Sequence, residues 1–270
     1  MEIIENIETN YIHLVYNMFG NVRRARGYYL YTDKKKRILD MYLSGGRAIL
    51  GHRPKGVLTR YKRELNKALF GIFPTKARCE LKKALHVMFP SYSSIICATE
   101  EKARSIAKDV PIYRPFLQKD WDEAFLFLPY PSFQTTIILY KDNSTIRSCN
   151  DDVLFSGEEN AISAFIYELI RHIKKGENAS ASSSLRSKKT LKKEREIEKE
   201  REYTLSLLSN FFEMNVPYLF FKKNRQISYQ DFFISALKAG VLLPPSEKEP
   251  SIFPKIKSYK PLISFLKSMI

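Results

Sequence analysis

Cysteine is scarce in this 270-residue chain and poorly placed for chemistry. Cys79, Cys97 and Cys149 cannot all pair, and none stands in a CxxC or Cys/His spacing that would suggest zinc or a redox dithiol. A reducing cytoplasm is therefore the expected compartment. No run of about 18 uninterrupted apolar residues occurs. The N-terminus opens with Glu2, Glu5 and Glu8 instead of a basic segment before an apolar stretch, so neither secretion nor membrane spanning is expected. Histidine offers no cluster: His13, His86 and His172 fall apart on expected helices, and His52 lies in a Leu-Gly-His turn. No established RNA- or DNA-binding motif is present.

Apolar residues make up 44% of the chain, enough to bury a substantial core in one large or two modest domains. The formal charge of +16 admits a nucleic-acid partner, an acidic membrane surface, or a basic surface without a special partner. Its location is more telling than its size. From Asn21 to Lys67 there are fourteen Lys/Arg against three acids, whereas Lys174 to Glu202 holds ten against six. The excess sits in the N-terminal third. Its clusters, Arg23-Arg24-x-Arg26 and Lys34 to Arg37, are interleaved with Tyr28, Tyr29 and Tyr31. Arg23, Arg24, Arg26, Lys35 and Arg37 are accordingly candidates for nucleic-acid contacts, with a solvated basic hairpin tip as the plain alternative.

Hydrophobic periodicity and turn residues sketch a mixed chain. Residues 2–19 have the spacing of an amphipathic helix, and Gly27–Tyr31 with Arg37–Leu43 read as two strands of a charged hairpin ended by Gly45-Gly46. Helices are expected from Val57, over Lys76–Met88, from a Thr99 N-cap through Lys108, and over Glu158–Lys174. Strands are expected at Ile95–Ala98 and Thr135–Tyr140, with Pro111, Pro115, Pro129 and Pro131 punctuating an irregular stretch between them. Residues 177–190 read as a flexible linker, followed by a helix from Leu191 to Phe212 that is charged first and apolar later. Strand Tyr218–Phe221, helix Tyr229–Ala239 stopped by Gly240, strand Val241–Leu243 and helix Tyr259–Met269 close the chain.

The order of these signals is similar to that of a known family. Gly27-Tyr-Tyr-Leu-Tyr31, Arg37-Ile-Leu-Asp40, Leu43-Ser-Gly-Gly46, Ile49-Leu-Gly-His52 and Pro54-x-x-Val57 resemble the opening of class III aminotransferases of the glutamate-1-semialdehyde aminomutase kind. Cys97-Ala-Thr-Glu100 with Ala103 and Ala107 looks like the family's phosphate-binding helix start. Phe232-Phe-x-x-Ala-Leu-x-x-Gly-Val-x-x-x-Pro-Ser246 looks like its closing small domain. The resemblance implies an α/β (mixed α+β) architecture: a reduced fold type I pyridoxal-phosphate transferase with a shrunken large domain and a C-terminal small α/β domain. The boundaries it implies are 1–90 for an N-terminal segment of small-domain-like strands and helices, 91–176 for the large-domain remnant, 177–202 for a charged linker and helix start, and 203–270 for the small domain.

Transamination needs a lysine imine, a carboxylate holding the pyridinium proton, and an anion cradle for the phosphate. By resemblance Lys141, just after the Thr135–Tyr140 strand, is the candidate Schiff-base lysine, although Asp142-Asn143 follow where the family has a Gly-rich turn. Asp122, in the pair Asp122-Glu123, is the candidate carboxylate, with no apolar strand before it. Thr99 and Cys97 are the candidate phosphate-side residues, with Ala98 standing where the family has glycine. The family's long further body between phosphate helix and small domain has no counterpart here. The expectation is therefore a degenerate aminotransferase-like protein without transaminase activity or cofactor. It would be cytoplasmic and would act as a structural or partner-binding homodimer, or as a heterodimer with a related protein. A minimal pyridoxal-phosphate-dependent aminotransferase or aminomutase, and a basic nucleic-acid-binding protein, are the alternatives. Whether the middle region is a compact remnant or a replacement fold turns on one point: whether the Thr135–Tyr140 strand joins a sheet beside the Cys97–Thr99 turn.

Overall fold

A computed structural model describes residues 7–67, 73, 75–117, 121–127, 134–144, 146, 149–177, 188–222 and 227–270. The chain opens with α1 (Ile7–Phe19), β1 (Val22–Arg26), β2 (Tyr29–Thr32) and β3 (Arg37–Asp40). Then come α2 (Val57–Leu65), α3 (Lys76–Met88), β4 (Ser93–Cys97), α4 (Glu100–Ile106), β5 (Glu123–Phe127), β6 (Thr136–Tyr140) and α5 (Ser156–Glu177). It closes with α6 (Lys188–Leu208), β7 (Phe212–Asn215), β8 (Tyr218–Phe221), α7 (Tyr229–Lys238), β9 (Val241–Leu242), β10 (Ser251–Ile252) and α8 (Lys260–Lys267).

These elements form two compact units, Met1–Gly46 with Ser180–Ile270, and Arg47–Ala179. The expected boundary at residue 90 falls inside the second unit, which begins at Arg47. The reason is packing: α2 and α3 lie against α5, so they belong with the segment that follows them. The two end segments, expected as separate domains, are one unit. The expected linker falls mostly on residues 178–187, which lie outside the described residues.

In the first unit, β1, β2, β3 and β9 make one sheet in that order. β2 and β3 form the expected hairpin, with Tyr29 opposite Leu39 and Tyr31 opposite Arg37. β9 runs parallel to β3, pairing Leu39 with Val241 and Asp40 with Leu242, and so ties the two ends of the chain together. β1 was not expected. Three of its five residues are arginine and most are exposed, so it carries no alternating apolar signature, and among the described residues it pairs on one side only. A second sheet, β10-β8-β7, packs on the same core, where Phe232 is ringed by Phe211, Phe212, Phe221 and Phe265 at centroid distances of 4.9, 5.7, 5.4 and 5.5 Å. α7 starts where Ser228 Oγ accepts the Asp231 N–H, and it ends at Gly240, whose φ of 79° turns the chain directly into β9.

Asp40 closes β3 with a buried carboxylate. Its Oδ1 accepts the N–H groups of Tyr42 at 2.9 Å and Leu43 at 2.8 Å. Leu43 and Ser44 there have φ of 47° and 56°, a left-handed conformation that costs a side-chain-bearing residue about 1–2 kcal/mol. The two carboxylate bonds offset that strain and fix the exit from the sheet.

In the second unit, β4, β6 and β5 make an antiparallel sheet with β6 in the middle. Its register pairs Cys97 with Thr136 at one end and Ser93 with Tyr140 at the other. The Thr135–Tyr140 strand therefore does join a sheet beside the Cys97–Thr99 turn. Ile95, Ile96, Phe125, Ile137 and Ile138 are all buried. β5 was unexpected, because it is short and lies within the proline-punctuated stretch. Glu123 opens it, and Asp122, expected with no apolar strand before it, directly precedes it. α6 also ends earlier than expected, at Leu208, and Phe212 begins β7 instead of finishing the helix.

Candidate functional site

The four residues singled out for cofactor chemistry all lie on the β4-β6-β5 sheet, at its two opposite ends. Lys141 follows β6, and its Nζ stands 3.8 Å from Asp122 Oδ1 and 5.5 Å from the centroid of the Tyr92 ring. Asp122 is 66% exposed and also accepts the Asn143 Nδ2 hydrogen at 3.3 Å. Both groups sit at the Ser93–Tyr140 end. Thr99 and Cys97 sit at the other, four residue steps or about 13 Å along the strand. Pyridoxal phosphate spans only one pyridine ring and a methylene from aldehyde to phosphate. These four residues do not form one seat for it.

The Thr99 end has its own filling. Thr99 is the N-cap, its Oγ1 accepting the Lys102 N–H at 3.2 Å, as the sequence implied. At the turn singled out by resemblance for a phosphate, Asp152 Oδ2 accepts the Ala98 N–H at 2.8 Å, and Asp151 Oδ1 accepts that of Ile96 at 2.8 Å. Asp152 Oδ1 is closed by the Lys102 ammonium, and Asp151 Oδ2 by Lys82 at 2.7 Å. The Ala98 bond, with Lys102 behind it, holds the Asp152 carboxyl below the usual carboxylate range. Arg78 braces the same segment, donating to the Asp152 carbonyl at 2.6 Å and, through Nε, to Glu159 Oε1 at 2.6 Å on α5. Sequence reasoning missed Asp151, Asp152 and Arg78. Each acts across more than fifty residues, and Asp151-Asp152 belongs to no local motif.

Cys97 is fully buried, and that burial, reinforced by the Asp152 charge, pushes its thiol up to about 11. It packs as a small apolar side chain and is no thiolate nucleophile. His52, His13, His86 and His172 do not converge, and among the described residues no group of three His, Cys, Asp or Glu side chains could hold a metal ion. Also among the described residues, no helix is long and apolar enough to cross a membrane.

The nucleic-acid candidates do come together. Arg23, Arg24 and Arg26 are exposed on β1, Lys35 lies in the β2–β3 turn with φ 56°, and Arg37 opens β3. The Arg24 guanidinium lies 4.5 Å from the Tyr31 ring centroid, and that of Arg37 lies 4.5 Å from Tyr29.

Comparison with solved structures identifies the architecture. Acetylornithine aminotransferase from Elizabethkingia anophelis superposes with a TM-score of 0.60 at 10% identity, covering 97% of each chain. Plasmodium falciparum ornithine delta-aminotransferase gives 0.57 at 10% identity, over 96% of this chain and 98% of that one. The chain has the aminotransferase fold. Another neighbour with this fold is the Toxoplasma gondii ornithine aminotransferase, whose active site carries PLP at partial occupancy; it gives 0.53 at 8% identity over 98% and 95%. In sequence, an uncharacterized Treponema pallidum protein is 28% identical over 92% of this chain and 93% of its own length. Glutamate-1-semialdehyde 2,1-aminomutase from Saccharolobus islandicus is 37% identical over 75 residues, 27% of this aminotransferase-fold chain but 17% of that enzyme. No family model matches.

Proposed function

We propose that this aminotransferase-fold protein is not a transaminase and works in the cytoplasm by binding a partner, either a second copy of itself or a related chain. The observation that carries this reading is the Asp152 carboxylate on the Ala98 N–H, because an internal anion stands where the cofactor's phosphate would need the backbone. A phosphate would have to displace a carboxylate already paired with Lys102 and would meet its charge. Lys141 and Asp122, engaged with each other at the far end of the sheet, supply no second half of the chemistry. The partner-binding half of the reading rests on the retention of both chain ends as one buried core without the catalytic set.

Two measurements on the purified full-length chain test it. Incubation with pyridoxal phosphate followed by borohydride is expected to leave no aldimine absorbance and no adduct on Lys141 by peptide mass spectrometry. A stoichiometric adduct there would overturn the non-catalytic reading. Size-exclusion chromatography with light scattering at micromolar concentration is expected to give a dimer, alone or with a related chain; monomer in both cases would overturn the partner reading.

A further inference from the structure

We propose that the basic edge of the β1-β2-β3-β9 sheet binds single-stranded nucleic acid. The surface consists of Arg23, Arg24 and Arg26 on β1, Lys34, Lys35 and Lys36 in the β2–β3 turn, and Arg37 at the start of β3. The turn lies beside the start of β1: Thr32 is opposite Val22, and the Asp33 N–H donates to the Asn21 carbonyl at 3.0 Å. Two cation clusters that the sequence separates by a hairpin are thus one patch. Asp33 is its sole acid, and that carboxylate is tied to Asn21 Nδ2 at 3.1 Å.

Elsewhere on the basic surface several cations are taken up by ion pairs, whereas here seven cations face the one acid, Asp33, whose carboxyl Asn21 and Lys34 hold down. Arg47 and Arg104 pair with Glu100, Arg78 with Glu159, Lys82 with Asp151 and Lys102 with Asp152. None of the seven patch cations makes an ion pair with a described carboxylate. Seven like charges held this close repel one another in the absence of a counterion, and a polyanion relieves that repulsion.

Strand geometry then favours an extended single strand over other polyanions. Arg24 and Arg26 alternate onto one face of β1, in register with Tyr31 and Tyr29, and Arg37 flanks Tyr31 from β3. Two residues of strand advance about 6.6 Å, so the arginine row runs as a periodic track along which successive phosphates can be met. The guanidinium carbons of Arg24 and Arg37 each stand 4.5 Å from a tyrosine ring centroid, and both arginines are exposed. Exposed arginine and tyrosine side chains held together in this way offer π-faces on which an unpaired base can stack. A duplex keeps its base faces covered, and a lipid headgroup has none.

The test is fluorescence anisotropy of the full chain with a fluorescein-labelled oligo-dT 15-mer, a duplex of equal length, and phosphatidylserine vesicles, over a range of salt. The single strand is expected to bind best, with log K falling against log salt by about 0.7 per phosphate contacted. R24Q/R26Q/R37Q is expected to weaken binding at least tenfold and flatten the salt slope by about two units, with an unchanged circular dichroism spectrum. R24K, which keeps the charge but not the plane, is expected to weaken it severalfold at unchanged slope. The proposal is overturned if the single strand fails to bind at low salt, if duplex or vesicles bind as well or better, or if R24K matches the wild type.

Discussion

Asp152 Oδ2 accepts the Ala98 N–H at 2.8 Å, and the Lys102 ammonium closes its other oxygen, so a carboxylate 54 residues downstream completes the turn between β4 and α4. The bond satisfies the Ala98 N–H and welds the segment before α5 to the sheet edge.

Replacing Asp152 should therefore loosen the second unit. Asp152→Ala leaves the Ala98 N–H and Lys102 without their acceptor, and a loss of about 1–2 kcal/mol is expected, because the side chain is 22% exposed and partly screened by solvent. The pH dependence has a definite sign. The folded carboxyl titrates below its unfolded value, so its stabilisation is present above about pH 4 and is lost as pH falls through the folded value. Urea midpoints of wild type and Asp152→Asn should differ at neutral pH and converge in acid; a constant gap down to pH 2–3 would contradict the charge-assisted bond.

Arg78 carries a larger share of the same framework. Its Nε meets Glu159, whose side chain is 4% exposed, at 2.6 Å, and its other nitrogens reach the Asp152 carbonyl and Asp151. Removing the guanidinium strands a buried carboxylate, so Arg78→Met should cost about 3 kcal/mol at neutral pH. Burial already pushes the Glu159 carboxyl up despite Arg78. In the variant it should rise further, making the penalty smallest in acid, where Glu159 is protonated, and larger as pH climbs through the raised value. Arg78→Met/Glu159→Leu should regain part of the loss, and chemical denaturation of the three variants at two pH values measures it.

How legible this was in the sequence depended on distance along the chain. α3 has the expected ends, Lys76 and Met88, and Thr99 caps α4, because periodicity and capping are local. The Gly240 stop and the strand after it were equally readable, but not that Val241 and Leu242 would lie parallel to Leu39 and Asp40 two hundred residues earlier. β1 was hidden because Val-Arg-Arg-Ala-Arg is an exposed edge strand, and β5 because five residues among prolines leave no period to detect. Lys141 and Asp122 were singled out by resemblance, yet nothing in the sequence said they would face each other at the end of the sheet remote from Thr99. That depends on antiparallel register alone.

The aromatic cluster of the first unit gives a stability test independent of the second. Phe232 is 1% exposed and touches four phenylalanines from β7, β8, α8 and the turn before β7. Phe232→Ala should cost about 3–5 kcal/mol, the sum of lost burial and the cavity left behind. Since Arg47–Ala179 forms its own compact unit, native-state hydrogen exchange should show the loss in α7 and β8, with β4 and β6 protected as in the wild type.

Cysteine reactivity reports on the same architecture from inside. Cys79 and Cys149 are exposed, whereas Cys97 is buried on β4 with its thiol raised to about 11. At pH 8 a thiol of that kind is about 0.1% thiolate, and the thiolate is the reactive form. Iodoacetamide should therefore add two groups to the native chain and a third only when urea unfolds the second unit. Asp152→Ala removes a negative charge that helps to hold the thiol up, and it frees the turn next to Cys97, so both effects act to speed the third addition. Intact-mass time courses separate the cases. Rapid triple labelling of the wild type would mean that β4 opens at its Cys97 end, and with it the Asp152 bond to the Ala98 N–H.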